Sequence, residues 1–233
     1  MALAVSFLFY KIGESFMSKK LLYKEEGRLK IFDVEFYYLW LLGILFAFVG
    51  FVGENTFKAF TDGYIDSRFH ILPFIGCYAL VPFAIYIALG STDDLRLFGY
   101  EIFKNKDLKS KILSNILCFL IISTFVFLGE LLIGNMWEYF FNVKLWDYSG
   151  MFLAITQYTC LFATVLYGGL AYLFFKFIFN PLLKLFKAKI SYKAARIICL
   201  SLGSLLIIDE LRLMITIMLT NSCPHFWKIV FFS

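Results

Sequence analysis

Six ionisable residues lie inside or beside long apolar segments, where a charged side chain is costly. They are Glu54, Arg68, Glu130, Asp209, Glu210 and Arg212. Burying a charge at the centre of a bilayer costs about 2.5–3.5 kcal/mol on insertion scales. We therefore expect these groups to face a cavity or one another. Carboxylates in such a place can hold a cation or shuttle protons, and a guanidinium can hold an anionic group.

The clearest case is the segment Ile207-Ile208-Asp209-Glu210-Leu211-Arg212. Asp209 and Arg212 are spaced i, i+3, so they can pair on one face of a helix. Glu210 points about 100° away from Asp209 and needs another partner, for which Arg68 is a candidate. Three interpretations stay open: an ion-pair network that locks helices together, a solvated binding cavity, and charges that face lipid.

Glu54 and Glu130 each follow a glycine near the end of an apolar segment. Each could lie in the headgroup zone or belong to a binding site. The later loop contains Trp146-Asp147-Tyr148, which could be part of an aromatic belt or a cap over a pocket. In the second case Trp146 stacks on a ligand and Asp147 orients it. No His or Cys accompanies these groups at ligand spacing, so we predict no metal site.

The composition places these residues in a membrane protein. Of the 233 residues, 61% are hydrophobic and 17% charged, and the mean hydropathy is +0.79. Soluble domains carry about a quarter charged residues. Four of the five cysteines, Cys77, Cys118, Cys160 and Cys199, fall in different apolar segments. We expect them to be buried free thiols rather than disulfides.

The apolar segments predict an all-α, polytopic fold made of one integral membrane domain over residues 1–233. Five segments are long enough to cross about 30 Å of hydrocarbon: residues 34–53, 71–90, 112–134, 153–179 and 194–219. Residues 1–33 are predicted to be cytoplasmic or interfacial. Polar positions within 11–18 follow a helical period, which indicates an N-terminal amphipathic helix at the interface. A sixth span through residues 1–18 is the alternative.

The distribution of basic residues predicts the orientation. Residues 1–33, 91–111 and 176–196 together hold 17 Lys and Arg, and the alternate segments hold four. Because cytoplasmic loops are enriched in basic residues, the N-terminus is predicted inside and the C-terminus outside. The net charge of +5 is thus a topology signal, and nucleic-acid binding is not expected.

The two halves of the chain share a pattern. A span ending in Gly53-Glu54 is followed by an outer loop and a returning span. A span ending near Gly129-Glu130 is followed in the same way. This predicts a parallel repeat of helices 1–2 and 3–4, with Glu54 corresponding to Glu130; chance similarity of two helical hairpins is the alternative. The sequence has no GxxxxGK[ST], HExxH or GxSxG motif, and we predict no cofactor.

From about residue 35 to 185 the sequence resembles a bacterial membrane family described as Putative ABC-transporter type IV. The resemblance is carried by Gly129-Glu130, Trp146-Asp147-Tyr148-Ser149 and Asn180-Pro181, with Glu54, Arg68 and Pro73 in the first half. The sequence departs from the family at residues 65–70 and 154–158. The resemblance implies a transport subunit of the bacterial inner membrane that works with a separate ATPase.

Three functions are compatible with these features. The leading hypothesis is a permease-like or substrate-binding subunit with a polar pocket in the outer leaflet, a separate ATPase and an unknown substrate. Its pocket is formed by Glu54, Arg68, Glu130, Trp146, Asp147, Tyr148, Asp209, Glu210 and Arg212. The alternatives are an intramembrane enzyme that acts on lipid-linked substrates at the outer face, and a non-catalytic scaffold. The sequence does not decide whether the protein is an enzyme.

Overall fold

A computed structural model of the chain describes residues 22–92, 94–98, 100–101 and 107–231. The predicted N-terminal amphipathic helix lies outside these residues. The helical fold class is confirmed. The helices are α1 Phe36–Thr61, α2 Val81–Leu89, α3 Leu108–Phe141, α4 Leu161–Phe174, α5 Asn180–Lys189 and α6 Tyr192–Thr220. A 3-10 helix, Gly76–Leu80, leads into α2, and a π-helical segment, Phe175–Phe179, joins α4 to α5.

Three helical stretches of the described chain are long and apolar enough to cross a membrane. They are α1, α3 and the continuous stretch Leu161–Lys189. Helix α6 has 29 residues, about 44 Å at 1.5 Å per residue. It is long enough to cross a membrane, but it differs from the other three stretches because it contains the charged residues Asp209, Glu210 and Arg212. The 3-10 helix and α2 together span only Gly76–Leu89. The fold thus supports a membrane protein, and the count of five spans stays a prediction.

In two of the predicted spans the helix begins later than the sequence predicted. Helical structure in the second begins at Gly76 rather than residue 71, because the amides of Ile71 and Leu72 donate to the side chain of Asp209 instead of joining a helix. The fourth begins at Leu161 rather than residue 153. Before it, turns such as the hydrogen bond from Leu161 N to Leu153 O, 3.0 Å long, occupy the backbone.

The connections between helices contain short strands that the sequence analysis did not predict. Strands β1 Leu22–Glu25, β2 Arg28–Ile31 and β3 Val34–Glu35 form one antiparallel sheet, with a tight turn at Glu26-Gly27. Strands β5 Gly90–Ser91, β6 Asp94–Leu97 and β7 Tyr100–Glu101 form a second. Strand β4 Tyr64–Asp66 pairs with β8 Lys228–Val230.

Connections that the charge pattern predicts to be cytoplasmic contact one another. Lys187, near the end of α5, lies 2.8 Å from the carboxylate of Glu35 at the start of α1. Arg96 in β6 lies 2.6 Å from Asp33 in the turn before β3. Three regions far apart in sequence therefore meet at one end of the helices.

The connections predicted to be external meet at the other end. Strand β8, close to the C-terminus, pairs with β4 directly after α1. The pairing continues as Ser67 N donates to Trp227 O over 3.1 Å. The loop after α1 is thereby held against both the C-terminal segment and α6, and it forms one wall of the cavity described next.

Candidate functional site

A cavity of about 90 Å³ lies where the loops after α1 and α3 meet α6. Its charged side chains and His70 come from three separate places, namely α1, the loop after α1 and α6, and aromatic and aliphatic side chains complete the lining. The groups of chemical interest are Glu54, Arg68, His70, Glu210, Phe69, Trp137 and Trp146. Four of them, Glu54, Arg68, Trp146 and Glu210, are among the nine residues that the sequence nominated.

The pair Glu54 and Arg68 forms the first wall of the cavity. Arg68 Nη2 donates to one carboxylate oxygen of Glu54, and the other oxygen accepts from the hydroxyl of Tyr78 over 2.9 Å. Arg68 Nη1 also lies 3.9 Å from Asp66. The Nε atom of Arg68 is buried and has no acceptor within the described part of the chain.

Asp209 and Arg212 form the predicted contact along α6. Arg212 Nε donates to Asp209 over 2.8 Å, and Arg212 Nη2 donates to the backbone oxygen of Phe69 over 2.9 Å. Asp209 also accepts from the backbone amides of Ile71 and Leu72, each over 3.1 Å. The two side chains thus fix the loop that carries Arg68, and neither lines the cavity.

His70 lies in the same loop and was not nominated from the sequence. Its Nδ1 is 3.6 Å from the Asp209 carboxylate, and the side chain is buried. Burial lowers the pKa of His70, although the negative charge of Asp209 opposes this shift. The imidazole is therefore favoured in its neutral form, so it adds no positive charge to the cavity wall at pH 7.

Glu210 points to the opposite side of α6 from Arg212 and into the cavity. Its carboxylate packs against Gly76, where an added Cβ would lie 3.1 Å from Glu210 Oε2. The prediction that Arg68 is the partner of Glu210 was wrong, because Arg68 is paired with Glu54. Across the described residues, no basic side chain lies within ion-pair distance of Glu210.

The remaining nominated residues divide between the cavity and its surroundings. Trp146 lines the cavity, and its indole N–H donates to Tyr158 O over 2.9 Å. Tyr148 donates to Glu130 over 3.4 Å behind that wall. Asp147 is exposed, and hydrogen bonds from Ser149 lower its pKa. Asp147 thus makes hydrogen bonds within its own loop and does not line the cavity.

Cys77 also lines the cavity. All five cysteines are free, as predicted, and Cys118, Cys160 and Cys199 are buried. The prediction was wrong for Cys77, which is exposed because it lies in the 3-10 helix at the edge of the cavity. Together with Trp137, it was missed because nothing in a run of apolar residues shows which of them faces a cavity.

One arrangement of side chains occurs in both halves of the protein. The ring of Tyr78 lies directly on Gly50, and its hydroxyl donates to Glu54, one turn further along α1. The ring of Tyr158 lies directly on Gly134, and its hydroxyl donates to Glu138, one turn further along α3. In each half a glycine thus admits a tyrosine that reaches a glutamate.

Long apolar helices around a cavity with paired charges define a polytopic helical membrane protein. The family model for Putative ABC-transporter type IV matches residues 41–215, which is well over half of the chain. The chain belongs to this family, and the match extends through the α6 residues Asp209, Glu210 and Arg212. We found no similar curated protein and no similar solved structure.

Proposed function

We propose that the protein is the integral membrane subunit of a transporter, permease-like or substrate-binding, with its pocket in the outer leaflet. The observation that carries the proposal is the cavity that holds the Glu54–Arg68 pair and Glu210 between helices. Transport sites are commonly built where helices are interrupted near a cavity. In this chain a non-helical loop, residues 67–75, precedes the short helical segment Gly76–Leu89 and carries Arg68 into the cavity wall.

We propose five membrane crossings in the bacterial inner membrane, with the N-terminus inside and the C-terminus outside. The pairing of β4 with β8 supports an odd number, because it holds the C-terminal segment at the end of the helices where α1 finishes. In this topology α6 is a span, and its residues Asp209 and Arg212 form hydrogen bonds with the loop after α1. The second crossing is proposed over residues 71–90, of which Gly76–Leu89 are helical.

The two halves are further proposed to be a parallel repeat. The Gly–Glu–Tyr arrangement supports a register in which Glu54 corresponds to Glu138, whereas the Gly-Glu dipeptides predicted Glu130. Either register relates the halves by an axis along the membrane normal. In the register favoured by the contacts, Gly50 and Gly134 have the same role, and this can be tested directly.

We expect Gly50→Ala and Gly134→Ala each to destabilise the protein by about 1–3 kcal/mol, because the new methyl group collides with a tyrosine ring. Gly53→Ala and Gly129→Ala are matched controls, since nothing lies within 4 Å of a Cβ at either position. They should be neutral or slightly stabilising. Unfolding in mixed detergent micelles measures all four. A large cost at only one of Gly50 and Gly134 would contradict the equivalence.

Energy for transport is proposed to come from a separate ATPase bound at the cytoplasmic end. The experiment is purification of the tagged protein from its native membranes in a mild detergent, followed by mass spectrometry of the proteins that co-purify. We expect an ATPase with a phosphate-binding loop at about one copy per one or two copies of this chain. In vesicles reconstituted with this protein and the ATPase, uptake of the transported substrate should require ATP.

Arg68→Met serves as the control for that experiment. It removes a cavity charge at the opposite end from the proposed ATPase contact, so the ATPase should still co-purify while uptake is lost. Absence of any ATPase, together with unchanged transport in vesicles without ATP, would contradict the proposed function. Turnover of a lipid by the purified chain alone would favour the enzyme alternative instead.

A further inference from the structure

The charges around the cavity do not balance. Arg68 is shared between Glu54 and Asp66, one at each of its two terminal nitrogens. Arg212 is paired with Asp209. Glu210 then remains as a carboxylate that lines the cavity without a basic partner in the described structure. The cavity wall therefore has an excess of negative charge, which favours a cationic ligand and disfavours an anionic one.

The aromatic lining points to the same class of ligand. Trp137 and Trp146 both line the cavity, and Phe69 completes this side. The N–H of Trp146 is already bonded to a backbone oxygen, so the group that this residue can offer a ligand is its ring. Indole rings attract cations within about 6 Å of the ring centre. Carboxylate and indole together are a combination typical of sites for organic ammonium ions.

Arg68 is not a free cation in the wall, because its two terminal nitrogens face Glu54 and Asp66. The size of the cavity limits the ligand further. The volume of about 90 Å³ admits only a ligand of a few heavy atoms, or the head of a larger one.

We propose that the cavity binds a small organic ammonium ion. Glu210 binds the ammonium group, and the rings of Trp137 and Trp146 lie beside it in the cavity wall. A soluble amino alcohol and the headgroup of phosphatidylethanolamine both have this chemistry. The inference rests on the proposed function, in which the same cavity is the transport site, and it names the class of substrate.

The test uses the full chain in nanodiscs of phosphatidylglycerol, with ethanolamine as the probe and acetate as the anionic comparison. Binding is measured by calorimetry. Ethanolamine should bind and acetate should not. Glu210→Gln keeps the shape of the side chain and removes its charge, so it should weaken ethanolamine binding by about tenfold or more. Asp62→Asn is the control, because Asp62 is exposed at the end of α1 and does not line the cavity, and binding should change less than twofold.

Nanodiscs that contain phosphatidylethanolamine distinguish the two sources. If the headgroup is the natural occupant, added ethanolamine should no longer bind in these discs. If a soluble amine is the occupant, binding should persist. Equal binding of acetate, or binding of ethanolamine that is unaffected by Glu210→Gln, would overturn the proposal. An ATPase that co-purifies while ethanolamine fails to bind contradicts only the ligand class. If ethanolamine binds but no ATPase co-purifies, only the proposal of an ATP-driven transporter is contradicted.

Discussion

Replacing Asp209 with leucine should lower the free energy of unfolding by about 3–5 kcal/mol, the cost of breaking a buried charge pair. The Asp209 side chain is only 7% exposed. It accepts from the guanidinium of Arg212 and from the amides of Ile71 and Leu72. Its loss leaves all three donors without this acceptor, and the loop that carries Arg68 loses its attachment to α6.

The double variant Asp209→Leu with Arg212→Leu distinguishes a simple ion pair from a loop anchor. A simple pair predicts that removing both charges restores most of the stability. The structure predicts only partial recovery, because the part-buried amides of Ile71 and Leu72 still lack their acceptor, and an unpaired donor that is shielded from water costs free energy. Arg196→Leu is the control on the same helix. Arg196 is exposed, so its replacement should change stability by less than about 0.5 kcal/mol.

Equilibrium unfolding in mixed detergent micelles measures the free energy of unfolding of the parent, the single variant, the double variant and the Arg196→Leu control. Full recovery in the double variant would show that the loop does not depend on Asp209. If the single Asp209→Leu variant is as stable as the parent, the pair of Asp209 and Arg212 does not contribute to stability and the prediction is wrong.

Short-range spacing predicted part of this site. The i, i+3 spacing of Asp209 and Arg212 on one helix was enough to predict their contact, which the structure has at 2.8 Å. The sequence also nominated Glu54 and Arg68 for one site. It could not assign their pairing, because the position of Arg68 depends on β4 pairing with β8, about 160 residues away. No local pattern contains that information.

Hydropathy predicted where the apolar segments are, but not where helices begin and end. Glu54 does not end α1, which continues to Thr61, because the carboxylate is bonded to Arg68 and Tyr78. Residues 153–160 are apolar enough to extend the fourth span, yet they form turns that position Tyr158 against Glu138. Hydropathy averages over a window and cannot distinguish a turn from a helix of similar composition.

The second large effect concerns the accessibility of Cys77. Cys77 is an exposed residue that lines the cavity, whereas Cys118, Cys160 and Cys199 are buried. In a Cys223→Ser background, a membrane-impermeant thiol reagent should therefore label one position, Cys77, in a water-filled cavity. Lipid-facing thiols stay unlabelled because the charged reagent does not enter hydrocarbon. The negative lining should make a cationic reagent react about tenfold faster than an anionic reagent of the same size.

This labelling, performed on intact spheroplasts so that the reagent reaches only the outer face, tests most directly whether the protein has an aqueous cavity that opens outward. We expect about one label per chain in the Cys223→Ser protein and none after the further change Cys77→Ser. We also expect faster labelling by the cationic reagent. A Cys77 that stays unlabelled from outside, but reacts once the membrane is dissolved or the reagent reaches the inner face, would contradict the outward-opening site.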